Sequence, residues 1–311
     1  MDWGQMWEIA VAPDNVPITA LLFLVPFYAW YGLRQARAND RLIEQLEANP
    51  EMAKTHHRKV QPYKPGWAKE VHVWPYLLRM EFLVTIIVTA ILMVWSITLN
   101  APLEEPANPT LTMNPAKAPW YFLGLQEMLV YFDPWMAGVV LPTLILVGLA
   151  CIPYIDANPL GVGYYTFKQR KWAILTFCFG FIGLWVSMVI IGTFIRGPGW
   201  MWFWPGATWD HDRLIFEANR DLPDLFGITS ALGKGIFGAI VVGLYVVLAG
   251  YGFHKLITRP GFNRKIYERM SIFQYGTMQI LLILMMSLPA KMLLRQLFRY
   301  KYVWITPWFN I

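Results

Sequence analysis

Charged residues are scarce in this chain. Only 15% of its 311 residues are Asp, Glu, Lys or Arg, whereas 56% are hydrophobic. A soluble domain usually carries about 25% charged residues, so the composition excludes an ordinary soluble protein. Tryptophan is abundant instead, with 16 residues, and tryptophan concentrates at membrane–water interfaces. We therefore expect an integral membrane protein.

Cysteine and histidine are also scarce. The two cysteines, Cys151 and Cys178, lie inside apolar runs, which excludes a disulfide framework, CxxCH haem attachment and cysteine-ligated iron–sulfur or zinc sites. Haem b in a helical bundle needs histidine pairs on facing helices. The five histidines are His56, His57, His72, His211 and His254. Only His254 lies near an apolar run, so we expect this chain to ligate no haem with its own histidines.

Six apolar runs are candidate membrane spans, which need about 20 residues each. The predicted spans are Ile18–Leu33, Leu77–Leu99, Trp135–Ile155, Ala173–Ile195, Ile236–Leu256 and Ser271–Leu288. They predict an all-α polytopic transmembrane bundle, with a short amphipathic surface helix between spans two and three. Three domains follow: residues 1–75 with one span and a basic loop, residues 76–195 with three spans, and residues 196–311 with an outer aromatic loop, two spans and an amphipathic tail.

The positions of Lys and Arg predict the orientation, because cytoplasmic loops are enriched in basic residues. Loops 34–76, 156–172 and 257–270 are basic, whereas segment 100–134 contains only Lys117. We therefore expect the N-terminus, segment 100–134 and segment 196–235 to face the outer side. The stretch DRLIEQLEANPEMAKTHHRK is interpreted as a solvated cytoplasmic helix, and the basic stretch KMLLRQLFRY after the last span as an interfacial amphipathic helix.

The segment KAPWYFLGLQEMLVYFDPW, residues 117–135, is too polar to cross a bilayer comfortably. Pro119 suits a helix start and Asp133-Pro134 a helix stop, and the 11 residues between Trp120 and Val130 make a helix of only about 16 Å. One face of this helix holds Trp120, Leu123, Glu127 and Val130. An ionisable residue at membrane depth is costly and marks a functional site, so Glu127 is a candidate. The alternative is an interfacial helix whose glutamate points to water.

The stretch PWYFLGLQEMLVYFDPWMAGVVLPTLILVGLACIPYID resembles the C-terminal part of cytochrome b and subunit IV of the cytochrome bf complexes. The preceding stretches VWPYLLRMEF and NAPLEEPANPTLTMNPAKAPWYF are similar to the family's approach to its Pro-Glu-Trp-Tyr loop, so that the resemblance spans about residues 70–195. It implies the C-terminal half of a split cytochrome b in a bacterial quinol–cytochrome c oxidoreductase. A separate cytochrome b subunit would then carry haem b.

The resemblance also implies a site and partners. In the family this loop forms part of the outer-side quinol oxidation site, where quinol oxidation is coupled to proton translocation. The implied quinol-binding residues are Pro119, Trp120, Tyr121, Phe122 and Leu125. The implied partners are a Rieske-type or other outer acceptor and a c-type cytochrome, in a dimeric complex. The composition itself predicts contact with membrane lipids, and it does not indicate nucleic acid, because the basic residues fall in loops between spans rather than in one patch. The motif and architecture favour menaquinol and the bacterial cytoplasmic membrane.

The sequence departs from the family at one position. Pro119 stands where the family has a proton-accepting glutamate. A nearby carboxylate can accept the proton instead, so we hypothesise that Glu127 takes this role while Tyr121 hydrogen-bonds a quinol oxygen. Arg79 and Glu81 are candidates for an inner-side quinone site, and a salt bridge of Glu81 with a basic neighbour is the alternative. GPGWMWFWPG is either an interface anchor or a docking surface for the outer acceptor.

Two other functions remain open from the sequence. A membrane anchor subunit of a peripheral oxidoreductase would usually need histidine ligands of its own, and these are missing. A transporter component predicts polar residues or broken helices deep within several spans. The predicted spans contain few polar residues, mainly Thr85, Thr89, Ser96, Thr143 and Ser187. This scarcity disfavours transport.

Overall fold

The computed structural model describes residues 3–55, 73–101, 103, 106–161, 164–211 and 218–311. In this part of the chain the regular structure is helical, and β-structure is limited to isolated bridges. Three of the five histidines, His56, His57 and His72, lie outside the described residues, as does the end of the predicted cytoplasmic helix.

Six helices within the described residues are long and apolar enough to cross a membrane, which confirms the predicted all-α transmembrane bundle. These spans are α2 (Val16–Ala48), α4 (Tyr76–Thr98), α6 (Met136–Ile155), α7 (Phe167–Ile195), α9 (Ala231–Ile257) and α11 (Ile272–Phe298). The shorter helices are α1 (Trp3–Val11), α3 (Pro50–Thr55), α5 (Leu123–Met128), α8 (Leu222–Leu225) and α10 (Phe262–Tyr267). Two 3-10 turns, Trp120–Phe122 and Pro198–Trp200, complete the set.

Two predicted boundaries differ from the structure. The first span continues without a break into the first part of the predicted cytoplasmic helix, because residues 34–48 are mostly good helix formers and contain no proline. This helix, α2, ends at Ala48, and Pro50 begins the separate helix α3. The separate amphipathic tail helix is wrong, because α11 runs straight through KMLLRQLF. Lys291 and Arg295 of this stretch are each only 5% exposed, so these two charges face the protein interior rather than a membrane surface.

The chain forms two compact units. One consists of Trp7–Leu111 and Gly161–Lys171. Within it, the buried Asp40 of α2 accepts hydrogen bonds from the backbone amide of Lys168 at 3.1 Å, and Asn39 donates to the carbonyl of Tyr165. The other unit consists of Met1–Met6, Thr112–Leu160 and Trp172–Ile311, and it contains the candidate site.

The core of the second unit brings α5 against α7. A buried cluster gathers Met128 at the end of α5, two residues just after it, one residue of α6, two of α7 and one of α11: Met128, Tyr131, Phe132, Ala137, Leu184, Met188 and Leu288. Gly192 allows the closest approach, since a Cβ there would lie 3.1 Å from the Cβ of Leu123. Two stretches of α7, Cys178–Val186 and Ile191–Ile195, are π-helical, a geometry frequent at functional sites.

Candidate functional site: a buried ion pair beneath an aromatic turn

The short surface helix predicted for segment 117–135 is present. A 3-10 turn at Trp120–Phe122 leads directly into α5, and we call these residues, 120–128, the aromatic turn. The side of the aromatic turn that faces away from the protein carries Tyr121 and Phe122, each 51% exposed. The side chain of Gln126 fixes the approach to the turn, because it accepts from the amide of Ala118 and donates to the carbonyl of Ala116.

The inner side of the aromatic turn is fully packed. Leu123, Gly124, Glu127 and Met128 are all buried, as the predicted apolar stripe requires for Leu123 and Glu127. Glu127 is 0% exposed, so the alternative in which this glutamate points to water is wrong.

Three side chains hold the Glu127 carboxylate. Arg196 donates from Nη2 to Oε1 at 2.7 Å and from Nε to Oε2 at 3.0 Å. Trp200 Nε1 donates to Oε2 at 3.1 Å, and the Tyr131 hydroxyl donates to Oε1 at 2.7 Å. Both carboxylate oxygens therefore have charged and neutral donors, which is the condition for a stable buried charge.

The loop after α7 delivers Arg196 and Trp200. Arg196 directly follows α7 and is 3% exposed, and its guanidinium also donates to the carbonyl of Trp200. Gly199 and Trp200 have φ angles of 66° and 58°, a left-handed conformation that is uncommon for a tryptophan. This tight turn aims the Trp200 indole at Glu127. The predicted aromatic loop is thus partly a structural component of the site, while Trp204 remains 69% exposed.

The electrostatics favour a charged pair. Burial by itself lowers the pKa of Arg196, but the hydrogen bond and the charge of Glu127 outweigh it and raise that pKa. Burial, together with the charge and hydrogen bond of Glu127, raises the pKa of the Tyr131 hydroxyl. Tyr131 therefore stays protonated and keeps donating. Gln296 of α11 donates to the same hydroxyl at 3.4 Å, which extends the network to the last span.

Lys117 is a second cation near this network. Its Nζ donates to the carbonyl of Thr193 at 2.9 Å and lies 4.9 Å from the ring centroid of Trp209. Burial lowers the pKa of Lys117 to about 7, while the charge of Glu127 acts in the opposite direction. This lysine therefore titrates near neutral pH, two residues before Pro119.

In the sequence, Lys117 and Arg196 contributed only to the predicted orientation, and their place in the site was not predicted. A signal was available for Arg196, because a buried carboxylate needs a cationic partner. Arg196 is the basic residue directly after α7, the second span that follows Glu127 in the chain.

Arg79 and Glu81 are not brought together by the structure. Both are exposed in the first turns of α4, a helix without buried residues. Neither forms an ion pair with any described residue, so the predicted alternative of a salt bridge at Glu81 is not seen in this part of the chain.

The described histidines do not fit a haem. His211 Nδ1 lies 2.7 Å from the carbonyl of Asn114, and His254 Nδ1 lies 2.8 Å from the Tyr275 hydroxyl. His211 lies in the loop after α7 and His254 near the end of α9, so they do not form a pair on facing helices. Among the described residues, no group of three or more His, Cys, Asp or Glu side chains is suited to a metal ion.

The fold and the site define a polytopic membrane protein with a buried ion pair under an aromatic turn. Residues 106–196 match the family described as cytochrome b(C-terminal)/b6/petD. This confirms the predicted resemblance from residue 106 onward, whereas its part over residues 70–105 lies outside the match. Residues 106–196 are thus a segment of the type found in the C-terminal half of a split cytochrome b. The match ends at Arg196, so it includes both members of the ion pair.

The family match supports a membrane subunit of a cytochrome bc- or b6f-type complex, part of an oxidoreductase with an N-terminal cytochrome b partner. Residues 1–105 and 197–311 lie outside the match. Comparisons with curated proteins and with solved structures found no match.

Proposed function

We propose that the aromatic turn forms part of the quinol oxidation site of a bacterial cytochrome bc-type complex, on the outer side of the membrane. The substrate is a quinol, menaquinol in this proposal, and a separate subunit carries haem b. The observation that carries the proposal is that the aromatic turn has one exposed aromatic side and one buried, fixed side. Its Tyr121 and Phe122 rings are exposed on a base that Glu127 and Arg196 lock to α7.

The exposed side of the turn has the chemistry of a quinol-binding surface. Ligand sites are mostly apolar with a few placed polar groups. Pro119, Phe122 and Leu125 supply apolar area, and the Tyr121 hydroxyl supplies a hydrogen bond to a quinol oxygen. The Tyr121 ring packs against Trp120 and Phe122, with centroids 5.6 and 4.8 Å apart, so the binding surface is already ordered.

Glu127 enters the proposal in two roles that an experiment can separate. Its contacts make it the anchor of the turn. As a proton acceptor for quinol it must first release a hydrogen bond from Arg196, Trp200 or Tyr131, because its oxygens are already saturated. The proposal has two further parts. The outer electron acceptor docks at the loop that carries the exposed Trp204, and Arg79 and Glu81 contribute to a quinone site on the inner side of the membrane.

The test is purification of the tagged chain from its own membranes in mild detergent. We expect a second polypeptide with a haem b signal in the reduced-minus-oxidised spectrum, and cytochrome c reduction by a menaquinol analogue. Tyr121→Phe should lower this rate about tenfold, as expected for loss of a hydrogen bond of about 1.4 kcal/mol in the transition state. Tyr154→Phe is the matched control, since Tyr154 is exposed at the opposite end of α6, and should leave the rate unchanged.

Two outcomes would contradict the proposal. One is a preparation without haem b, and a peripheral dehydrogenase in its place would favour the membrane-anchor function. The other is equal quinol oxidation by the Tyr121→Phe and Tyr154→Phe variants.

A further inference from the structure

A groove between α9 and α11 has no assigned role. Its volume is about 550 Å³, within the range of about 300–1,000 Å³ that is usual for small-molecule sites. Apolar residues of both helices line it, among them Phe253, Leu256, Met286 and Leu293. The groove shares no lining residue with the aromatic turn, and both helices lie outside the family match at residues 106–196.

The charged residues of this groove are Lys255 and Arg259. Both are exposed and stand at the C-terminal end of α9, which ends at Ile257. Neither forms an ion pair with any residue that the structure describes. The neighbouring Arg264, in contrast, is neutralised by Glu268 at 2.9 Å. The groove therefore has an apolar body and an uncompensated positive end.

The α9 wall of the groove is about as long as one leaflet of a bilayer is thick. Its lining residues on α9 run from Tyr245 to Leu256, which corresponds to about 17 Å of helix. Half of the hydrocarbon core of a bilayer is about 15 Å thick. A ligand with a charged group at Lys255 would thus reach about the midplane of the membrane at Tyr245.

We propose that this groove binds one anionic phospholipid, with its phosphate at Lys255 and Arg259 and an acyl chain along α9. Lys and Arg are the side chains that bind phosphate oxygens, and basic pockets between transmembrane helices bind anionic head groups. A zwitterionic lipid brings its own cation into the positive end and is disfavoured. A neutral quinone can accept hydrogen bonds from Lys255 and Arg259 but brings no negative charge to balance them.

Native mass spectrometry of the purified full chain tests this binding site. Phosphatidylglycerol and phosphatidylcholine with identical acyl chains are added in equal amounts. We expect wild type to retain phosphatidylglycerol about tenfold better, and the Lys255→Gln/Arg259→Gln double variant to bind both lipids equally. Arg264→Gln removes one positive charge that is already neutralised outside the groove, so it should keep the preference. Ala249→Phe fills the groove and should weaken binding of both lipids.

Equal retention of the two lipids by wild type would overturn the proposal, and so would an unchanged preference in the double variant. Displacement of the lipid by millimolar inorganic phosphate would also overturn it, because it would assign the positive end to free phosphate. Lipid binding is measured without quinol oxidation, so this test is independent of the function proposed above.

Discussion

Replacement of Glu127 by glutamine is the sharpest perturbation that the structure suggests. The substitution keeps the size of the side chain and removes its charge, while Arg196 stays buried at 3% exposure without a counter-charge. Breaking a buried ion pair by removing one partner costs about 3–5 kcal/mol. The glutamine retains an acceptor for the Tyr131 or Trp200 donor, so we expect a loss near 3 kcal/mol in the free energy of unfolding.

A double-mutant cycle isolates the interaction. Arg196→Met alone leaves the Glu127 carboxylate buried and unpaired, whereas the Glu127→Gln/Arg196→Met double variant leaves no buried charge at either position. The double variant should therefore be less destabilised than the sum of the two single variants, with a coupling energy of about 2–3 kcal/mol. Unfolding by sodium dodecyl sulfate, followed by tryptophan fluorescence, measures all four proteins. Glu47→Gln, at an exposed position without an ion pair among the described residues, should stay within about 0.5 kcal/mol of wild type.

The pH dependence of quinol oxidation separates the two roles of Glu127. If Glu127 is the anchor, Glu127→Gln lowers the rate by a similar factor at every pH between about 6 and 8. If it is the proton acceptor, the substitution removes a step from the pH–rate profile.

In the stability measurements, a loss under about 1 kcal/mol for Glu127→Gln, or single-variant losses that simply add, would refute the reasoning that Glu127 and Arg196 form a coupled buried pair.

Three further predictions concern stability. Burial lowers the pKa of Lys117 from 10.5 to about 7, so between these pH values the unfolded chain binds more protons than the folded chain, and the free energy of unfolding rises with pH. In unfolding titrations the Lys117→Met variant should lack this rise. Parallel pH curves for the variant and wild type would contradict the prediction. Gly238→Ala should cost about 1–3 kcal/mol, because its Cβ would lie 2.5 Å from the Cα of Trp304. Gly243→Ala, with open space in the same helix, should not destabilise, and equal effects at the two glycines would refute the packing argument. Ser271→Ala removes the capping box of α11 and should cost about 1 kcal/mol, a value that the same titration checks; no measurable loss would show that the cap contributes nothing.

The predictions that held are those that depend on composition and local pattern. The hydrophobic runs determined six spans, because about 20 apolar residues are enough to fill the hydrocarbon core. Pro119 marked the start of the short helical segment, and its apolar spacing placed Leu123 and Glu127 on the buried side. The helix ends earlier than predicted, at Met128, five residues before Asp133. The prediction of a separate amphipathic tail helix was wrong because charges at helical spacing form the same sequence pattern in two situations. They can face lipid head groups or, as Lys291 and Arg295 do, the protein interior.

The sequence by itself determined a helical membrane protein, a cytochrome b C-terminal-type segment and a buried face for Glu127. Only the tertiary structure decided what Glu127 meets there. Arg196 and Trp200 lie about 70 residues away along the chain, as the separations of 69 and 73 positions show, and no periodic pattern links positions so far apart. The packing of Gly192 against Leu123 brings α5 to α7, and a left-handed turn at Gly199 and Trp200 closes the network. The physical reason is that burial of a charge is settled by partners in space, and those partners are fixed only when the helices pack.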